Sequence, residues 1–216
     1  MGDKNKNNPL EQRAFLFDIR ANRREDGISI LTGRPIVYDS RTDLGWFDEI
    51  IEQGALNGTD LTDVRFLVNH DLSKIPLARS RRNNGNSTMQ LSPDDKGMAI
   101  EVELDTENNA DSKALYSAVS RGDITGMSFM FSIKDAEWDD LDSDHPTRRI
   151  KAISSVVEVS AVTFPAYDAT EINARSKEAL DSARQELESA KEKRAKTLES
   201  DNLDLQKAKL NFISKL

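Results

Sequence analysis

The stretch TDVRFLVNHD carries an apolar run, Phe66-Leu67-Val68, that leads to His70, one of two histidines in 216 residues. Read as the last step of a buried strand, this imidazole needs a partner. Strand alternation turns the adjacent Asp71 to the opposite face, so the partner must come from elsewhere. Glu158, in SSVVEVSAVTF, shares a strand face with Val156, Ser160 and Val162. A carboxylate on such a face must find a donor, because an unpaired buried charge is expensive. An imidazole N–H would serve, and the contact would fix the ring's tautomer. A nucleophile activated by that pair must be Ser or Thr, since the chain has no cysteine. Ser128, in GDITGMSFMFSI, is the best placed: Met127 and Phe129 point the other way, and Gly126 allows close approach of a substrate. Ser132 and Ser160 lack that setting. Spacing alone leaves a second reading open, in which His70 and Ser128 are structural residues of an inactive β-barrel.

The elements that must hold these groups are mostly strands. Phe15, Phe17 and Ile19 alternate on one face, and Ile28 and Ile30 follow an Asp26-Gly27 turn. Trp46, Phe47, Ile50 and Ile51 have helical spacing, with Gly54 as a stop. Strands are expected over about 86–92 and 97–104, joined by the turn SPDDKG, with Ile100, Val102 and Leu104 inward and Glu101 and Glu103 outward. NADSKALYSAVSRGD reads as a short helix ended by Gly122. It feeds the Ser128 strand, an acidic loop, and the long Glu158 strand. The pattern predicts an α+β fold, mainly an antiparallel β-barrel, closed or partly closed, with helices packed around it. From about residue 175 glycine, proline and tryptophan vanish and Lys, Glu, Ala and Leu take over, which predicts a charged helix or weak coiled coil. The expected divisions are a mobile N-terminal tail over 1–12, a barrel domain over 13–175 and a helical tail over 176–216.

Composition removes several classes of function. Without cysteine there are no disulfides, thiol nucleophiles or Cys-based zinc sites. Two isolated histidines, at 70 and 145, make no His-rich metal centre, and there is no Gly-rich phosphate loop, so neither metal nor cofactor is expected. A net charge of −8 argues against nucleic acid as a general partner, local patches such as Arg79-Ser-Arg-Arg82 notwithstanding. No apolar run approaches the ~18–20 residues that span a bilayer, and the N-terminus has no apolar signal region.

Taken together, WFDEIIEQGAL, VRFLVNHDLSKIPLAR, GMSFMFSI and EVSAVTFPAY resemble, in order and separation, the prohead maturation proteases of tailed bacteriophages, the HK97-like family related in fold to herpesvirus assemblins. The resemblance covers about residues 13–172. It implies a serine endopeptidase with His70 as catalytic histidine, Ser128 as nucleophile and Glu158 as third member, where the herpesvirus relatives use a second histidine. Two departures stand near the site: Met130 replaces a usual glycine, and Leu77-Ala78-Arg79 stands where the family often has Leu-Gly-Arg. His145 matches no family motif. The implied substrates are the scaffolding segment of the major capsid protein, any separate scaffolding protein and the protease itself, inside the assembling procapsid in the host cytoplasm. Oxyanion donors are sought among backbone N–H groups near Ser128 or at Arg79. The C-terminal helix is a candidate for self-association. The alternative is a non-enzymatic capsid scaffold or assembly protein built on a protease-like barrel.

Overall fold

The computed structural model describes residues 10–15, 19–163 and 174–213. The described strands in the first half are β1 (Leu10–Phe15), β2 (Arg20–Arg23), β3 (Ser29–Val37), β4 (Arg41–Asp43), β5 (Asp48–Ile51), β6 (Arg65–Val68) and β7 (Ala78–Arg79). The hairpin β8 (Met89–Asp94) and β9 (Gly97–Leu104), helix α1 (Ala110–Arg121), and the strands β10 (Gly126–Asp139) and β11 (Thr147–Val162) follow. Helix α2 (Ala174–Ile213) is the last element.

The spine is the long antiparallel pair β10–β11, with β1 antiparallel on the free edge of β10. The other edge of β11 takes two strands in succession, both parallel. β5 lies beside Thr147–Ile150 and β6 beside Glu158–Ala161. β4 extends β5, and β7 extends β6. The second sheet, β2-β3-β9-β8, is wholly antiparallel. Leu31, Ile36, Met89, Met98 and Val102 of that sheet share one buried core with Phe66, Phe129, Phe131 and Val159 of the first. Gly97 is forced by this arrangement: its φ is +134°, and a Cβ there would sit 2.0 Å from the Ile36 carbonyl oxygen.

The α+β class holds, as do the β8–β9 hairpin, helix α1 and the C-terminal helix. α1 is capped by Asn109, whose side chain accepts from Asp111 and Ser112 N–H, and it ends at Gly122 in the left-handed region. The expected barrel closure is not observed. Among the described residues the two sheets meet through single backbone bonds, Asp39 N–H to Ile51 O and Thr88 N–H to Arg79 O, and no strand ladder joins them. The helix expected over Trp46–Gly54 is instead strand β5 followed by turns. Asp48–Ile51 is buried throughout and paired on both sides, and a short apolar run in that setting carries no readable period. β1 starts at Leu10, inside the expected 1–12 tail, and residues 1–9 of that tail lie outside the described residues. Phe17 and the PAY end of the last motif also lie outside them.

A buried charge cluster ties β1 to the rest. Arg13 binds Glu49 (Nη2 to Oε2, 2.7 Å) and Glu11, and Arg148 binds Glu11 (Nη1 to Oε1, 2.9 Å) and Glu49. All four side chains are at most 6% exposed. Burial disfavours the charged form of both guanidiniums, but the facing carboxylates of Glu49 and Glu11 more than offset it and hold each above its ordinary range. Arg148 also reaches α2, with Nη2 2.6 Å from Glu186 Oε2. The near half of that helix is seated on the sheets by buried Ala183 and Leu187, by Arg184 over the Trp46 ring and by Arg194 on Asp142. Residues 192–211 are exposed, Leu198, Leu203, Leu205 and Leu210 among them. At 1.5 Å per residue the helix is about 60 Å long.

Two outcomes follow from these contacts. Glu49→Ala leaves a buried guanidinium short of a partner and is expected to lower unfolding free energy by about 3–5 kcal/mol. Glu186→Ala, at a half-exposed position where water can replace the lost carboxylate, should cost clearly less than Glu49→Ala. Urea unfolding of the two variants checks the contrast. At the β8–β9 turn, the hydrogen bonds from the Arg34 guanidinium and then the Lys96 N–H hold the Asp94 carboxyl down at about 2. A depressed carboxyl stabilises above its unfolded value of about 3.9 and loses that contribution as pH falls through its folded one. A carboxyl-resolved NMR titration should therefore place the Asp94 midpoint well below the ordinary value of about 3.9, and Arg34→Ala should move it back towards that value.

Candidate active site

β10 lies between β1 and β11, and Ser128 is in register with Ala14 on one side and Ser160 on the other. Glu158 lies two residues before Ser160, so strand alternation sets Ser128, Glu158 and Ser160 on one face. The core aromatics Phe129 and Phe131 and the core residue Val159 alternate with them. The third group arrives from β6, which pairs in parallel with this same part of β11.

His70 is not the last residue of its strand. β6 stops at Val68, and Asn69 and His70 both adopt left-handed backbone, with φ of 52° and 57°. Two such residues in succession are unfavourable without side-chain or tertiary support. Support comes from β11: Asn69 N–H donates to Ala161 O at 2.9 Å, and the Asn69 side chain exchanges hydrogen bonds with Thr163. His70 N–H donates to Ser160 Oγ at 3.0 Å. Asp71 takes no part and accepts instead from Ser73.

This turn swings the imidazole between the other two groups. His70 Nδ1 is hydrogen-bonded to Glu158 Oε1, and Nε2 lies 2.6 Å from Ser128 Oγ. The second Glu158 oxygen accepts from Ser160 Oγ at 2.7 Å. Glu158 is 1% exposed, and Ser128 and Ser160 are fully buried. With Nδ1 protonated toward the carboxylate, the Nε2 lone pair faces the serine, which is the arrangement that removes a hydroxyl proton. Ser128 has a second acceptor within reach, the Arg13 carbonyl oxygen of β1 at 2.7 Å. Its single proton thus divides between a productive bond to His70 and an idle one to Arg13.

The structure brings together His70, Ser128 and Glu158, the three residues that the sequence singled out for chemistry. It does not bring in Arg79 as an oxyanion donor, since that guanidinium is committed to Asp63. Met130 is buried between Gln12 and Glu158 in register, just before a shift that leaves Val157 of β11 without a partner in β10. Ser132 contributes its carbonyl to Ser154 Oγ. His145 lies elsewhere, with Nε2 3.1 Å from Asp48 Oδ1. Burial works against the Asp48 carboxylate, and hydrogen bonds from His145 and Arg41 hold it below the ordinary range. Asp43, Asp48 and His145 are close enough to share an ion. Each already has a partner in the fold, Asp43 through Gly45 N–H, so the trio is accounted for without one. Two contacts escaped the sequence reading, which weighed Ser160 only as a nucleophile. The Arg13 carbonyl is backbone and has no sequence signal. Ser160 has one, the Glu-x-Ser spacing that puts it beside Glu158 on the same face.

Among solved structures, the bacteriophage T4 capsid assembly protease gp21 is similar to 70% of this chain over 98% of its own length. The identity is 10% and the TM-score 0.36, a distance at which the likeness adds nothing to the assignment. No curated protein matches. The family model described as caudovirus prohead serine protease matches residues 16–185, a span that takes in β6, β10, β11 and the first part of α2, and the chain belongs to that family.

Proposed function

We propose that Ser128 is the nucleophile, His70 the general base and Glu158 the orienting carboxylate of this prohead serine protease. The observation that carries the assignment is a single imidazole with both nitrogens engaged, Nδ1 by Glu158 and Nε2 by Ser128. Ser128 Oγ attacks the scissile carbonyl carbon as its proton passes to Nε2, and Glu158 stabilises the imidazolium that forms. When the tetrahedral adduct collapses, the C–N bond breaks and the amine leaves with the proton from Nε2. Water then attacks the acyl ester, giving its proton to the same nitrogen, and Ser128 Oγ recovers that proton as the product acid departs. Burial of the Ser128–Glu158 pair keeps these charge movements out of bulk water, where they would be weakened.

Membership of a prohead protease family supports a substrate set made of capsid-building proteins: the scaffolding segment of the major capsid protein, a separate scaffold and the protease itself. It also supports action inside the assembling procapsid, within the host cell. Among the described residues no helix is long and apolar enough to cross a membrane. We divide the chain into a protease domain over 13–175, with β1 carrying its start back to Leu10, and a tail over 176–216. The seating of Ala183, Leu187 and Glu186 makes the near half of α2 a brace for the domain. The exposed half beyond Arg194 is then the part free to engage another copy or a scaffold protein, recruiting the protease into the shell.

Co-expression with the cognate major capsid protein tests the triad. The wild-type chain should shorten that protein, whereas Ser128→Ala should fold normally, His70→Ala should fold with lowered stability because Glu158 loses a donor, and both should leave it intact, a loss of at least about 10³-fold. Glu158→Gln should keep more activity than either, because Glu158 orients and does not transfer the proton, and His145→Ala should match wild type. A folded Ser128→Ala chain cutting at the normal rate rejects the assignment. For the tail, a chain ending at Arg194 should cleave capsid protein in solution as the full chain does but enter procapsids poorly. Equal counts of protease per procapsid would refute the recruiting role.

A further inference from the structure

We propose that Ser160 is a positioning residue for the reaction, one hydroxyl that holds the His70 turn and the Glu158 carboxylate in a fixed relation. The inference rests on the roles given above to His70 and Glu158. A serine hydroxyl has one proton and two lone pairs. In Ser160 the proton is given to Glu158 Oε2 at 2.7 Å, and a lone pair receives the His70 backbone N–H at 3.0 Å. Both capacities are spent inside the site, which also excludes this serine as the nucleophile although it stands in register with Ser128.

The need for such a tie comes from the two groups it joins. Glu158 uses Oε1 for His70 Nδ1, and at 1% exposure its second oxygen has no water to turn to. Without a donor at Oε2 the carboxylate is free to rotate toward another one and release the imidazole. His70 has the complementary weakness, since its φ of 57° is a conformation that a non-glycine residue holds only under constraint. The Asn69–Thr163 exchange fixes the residue before it. Ser160 fixes His70 itself, and fixes it to the same strand that carries Glu158. The ring and its carboxylate therefore cannot drift apart independently, and Nε2 stays on Ser128 Oγ.

The test uses the full-length protein and a fluorophosphonate, whose rate of attachment to Ser128 reads nucleophile activation without a peptide substrate. Ser160→Ala should slow labelling per folded molecule by about ten- to a hundredfold, the range of a hydrogen bond to a charged group. Ser160→Cys, with similar volume but a weak donor, should slow it comparably, and Ser160→Thr, which keeps the hydroxyl, should recover most of the rate. In a Glu158→Gln background Ser160→Ala should add little, because both changes loosen the same imidazole. The low-field proton resonance of His70 Nδ1–H should weaken or broaden in the alanine and cysteine variants. Wild-type labelling by Ser160→Ala, or by Ser160→Cys if the alanine variant does not fold, overturns the proposal, as does a loss that simply adds to that of Glu158→Gln. His70→Ala is the control: normal labelling there rejects the triad itself, while its loss alongside fast Ser160→Ala and Ser160→Cys rejects only the role of Ser160.

Discussion

A carboxylate removed from water governs this molecule. Glu158 is 1% exposed on a strand whose alternate residues enter an apolar core, and such a group is tolerated only if its oxygens are met by donors. One donor is the His70 imidazole and the other the Ser160 hydroxyl. Satisfying the charge thus forces a histidine out of a neighbouring strand, through an unfavourable turn, into the one place where its far nitrogen meets Ser128. What stabilises the buried charge is also what assembles the chemistry.

The surrounding sheets can be understood as the means of keeping that geometry fixed. β10 and β11 carry the hydroxyl and the carboxylate in register, and β6 delivers the imidazole along the outer edge of β11. On the other side β1 covers β10 and supplies the Arg13 carbonyl to Ser128. β1 is short, and it is held by more than its ladder, because two guanidiniums and two carboxylates lock it to β5 and β11. Through Arg148 and Glu186 the same cluster reaches helix α2, so the wall behind the serine and the seat of the helix share one set of charges.

Much of this was legible in the residues, and the reasons differ by element. Alternation in β9, turn residues in the β8–β9 connection, and the Asn109 and Gly122 caps of α1 are local signals, and local signals survive into the fold. His70, Ser128 and Glu158 stood out because each is a reactive type in an apolar strand setting, while motif order supplied their joint significance. Where reading failed, the deciding facts were non-local. The segment that contains β5 has helical spacing in Trp46, Phe47, Ile50 and Ile51, but parallel pairing with β11 overrides it. Closure of a barrel depends on whether distant edges pair, which strand patterns do not encode. The left-handed turn at Asn69 and His70 is set by bonds to Ser160, Ala161 and Thr163, some ninety residues on.

Those separations have a consequence for when the enzyme comes into being. His70 and Ser128 are 58 residues apart and His70 and Glu158 are 88 apart, while Arg13 precedes Ser128 by 115. A ribosome adds about 5–20 residues per second, so the imidazole leaves the exit tunnel several seconds before the carboxylate it is bonded to in the fold. Through that interval the nascent chain holds a histidine without its partner and a strand edge without β11, and it has no working hydroxyl. On the triad proposed above, translation itself sets the clock: the protein is born inert, and cutting power arrives only after its last long strand has been made and paired with β10.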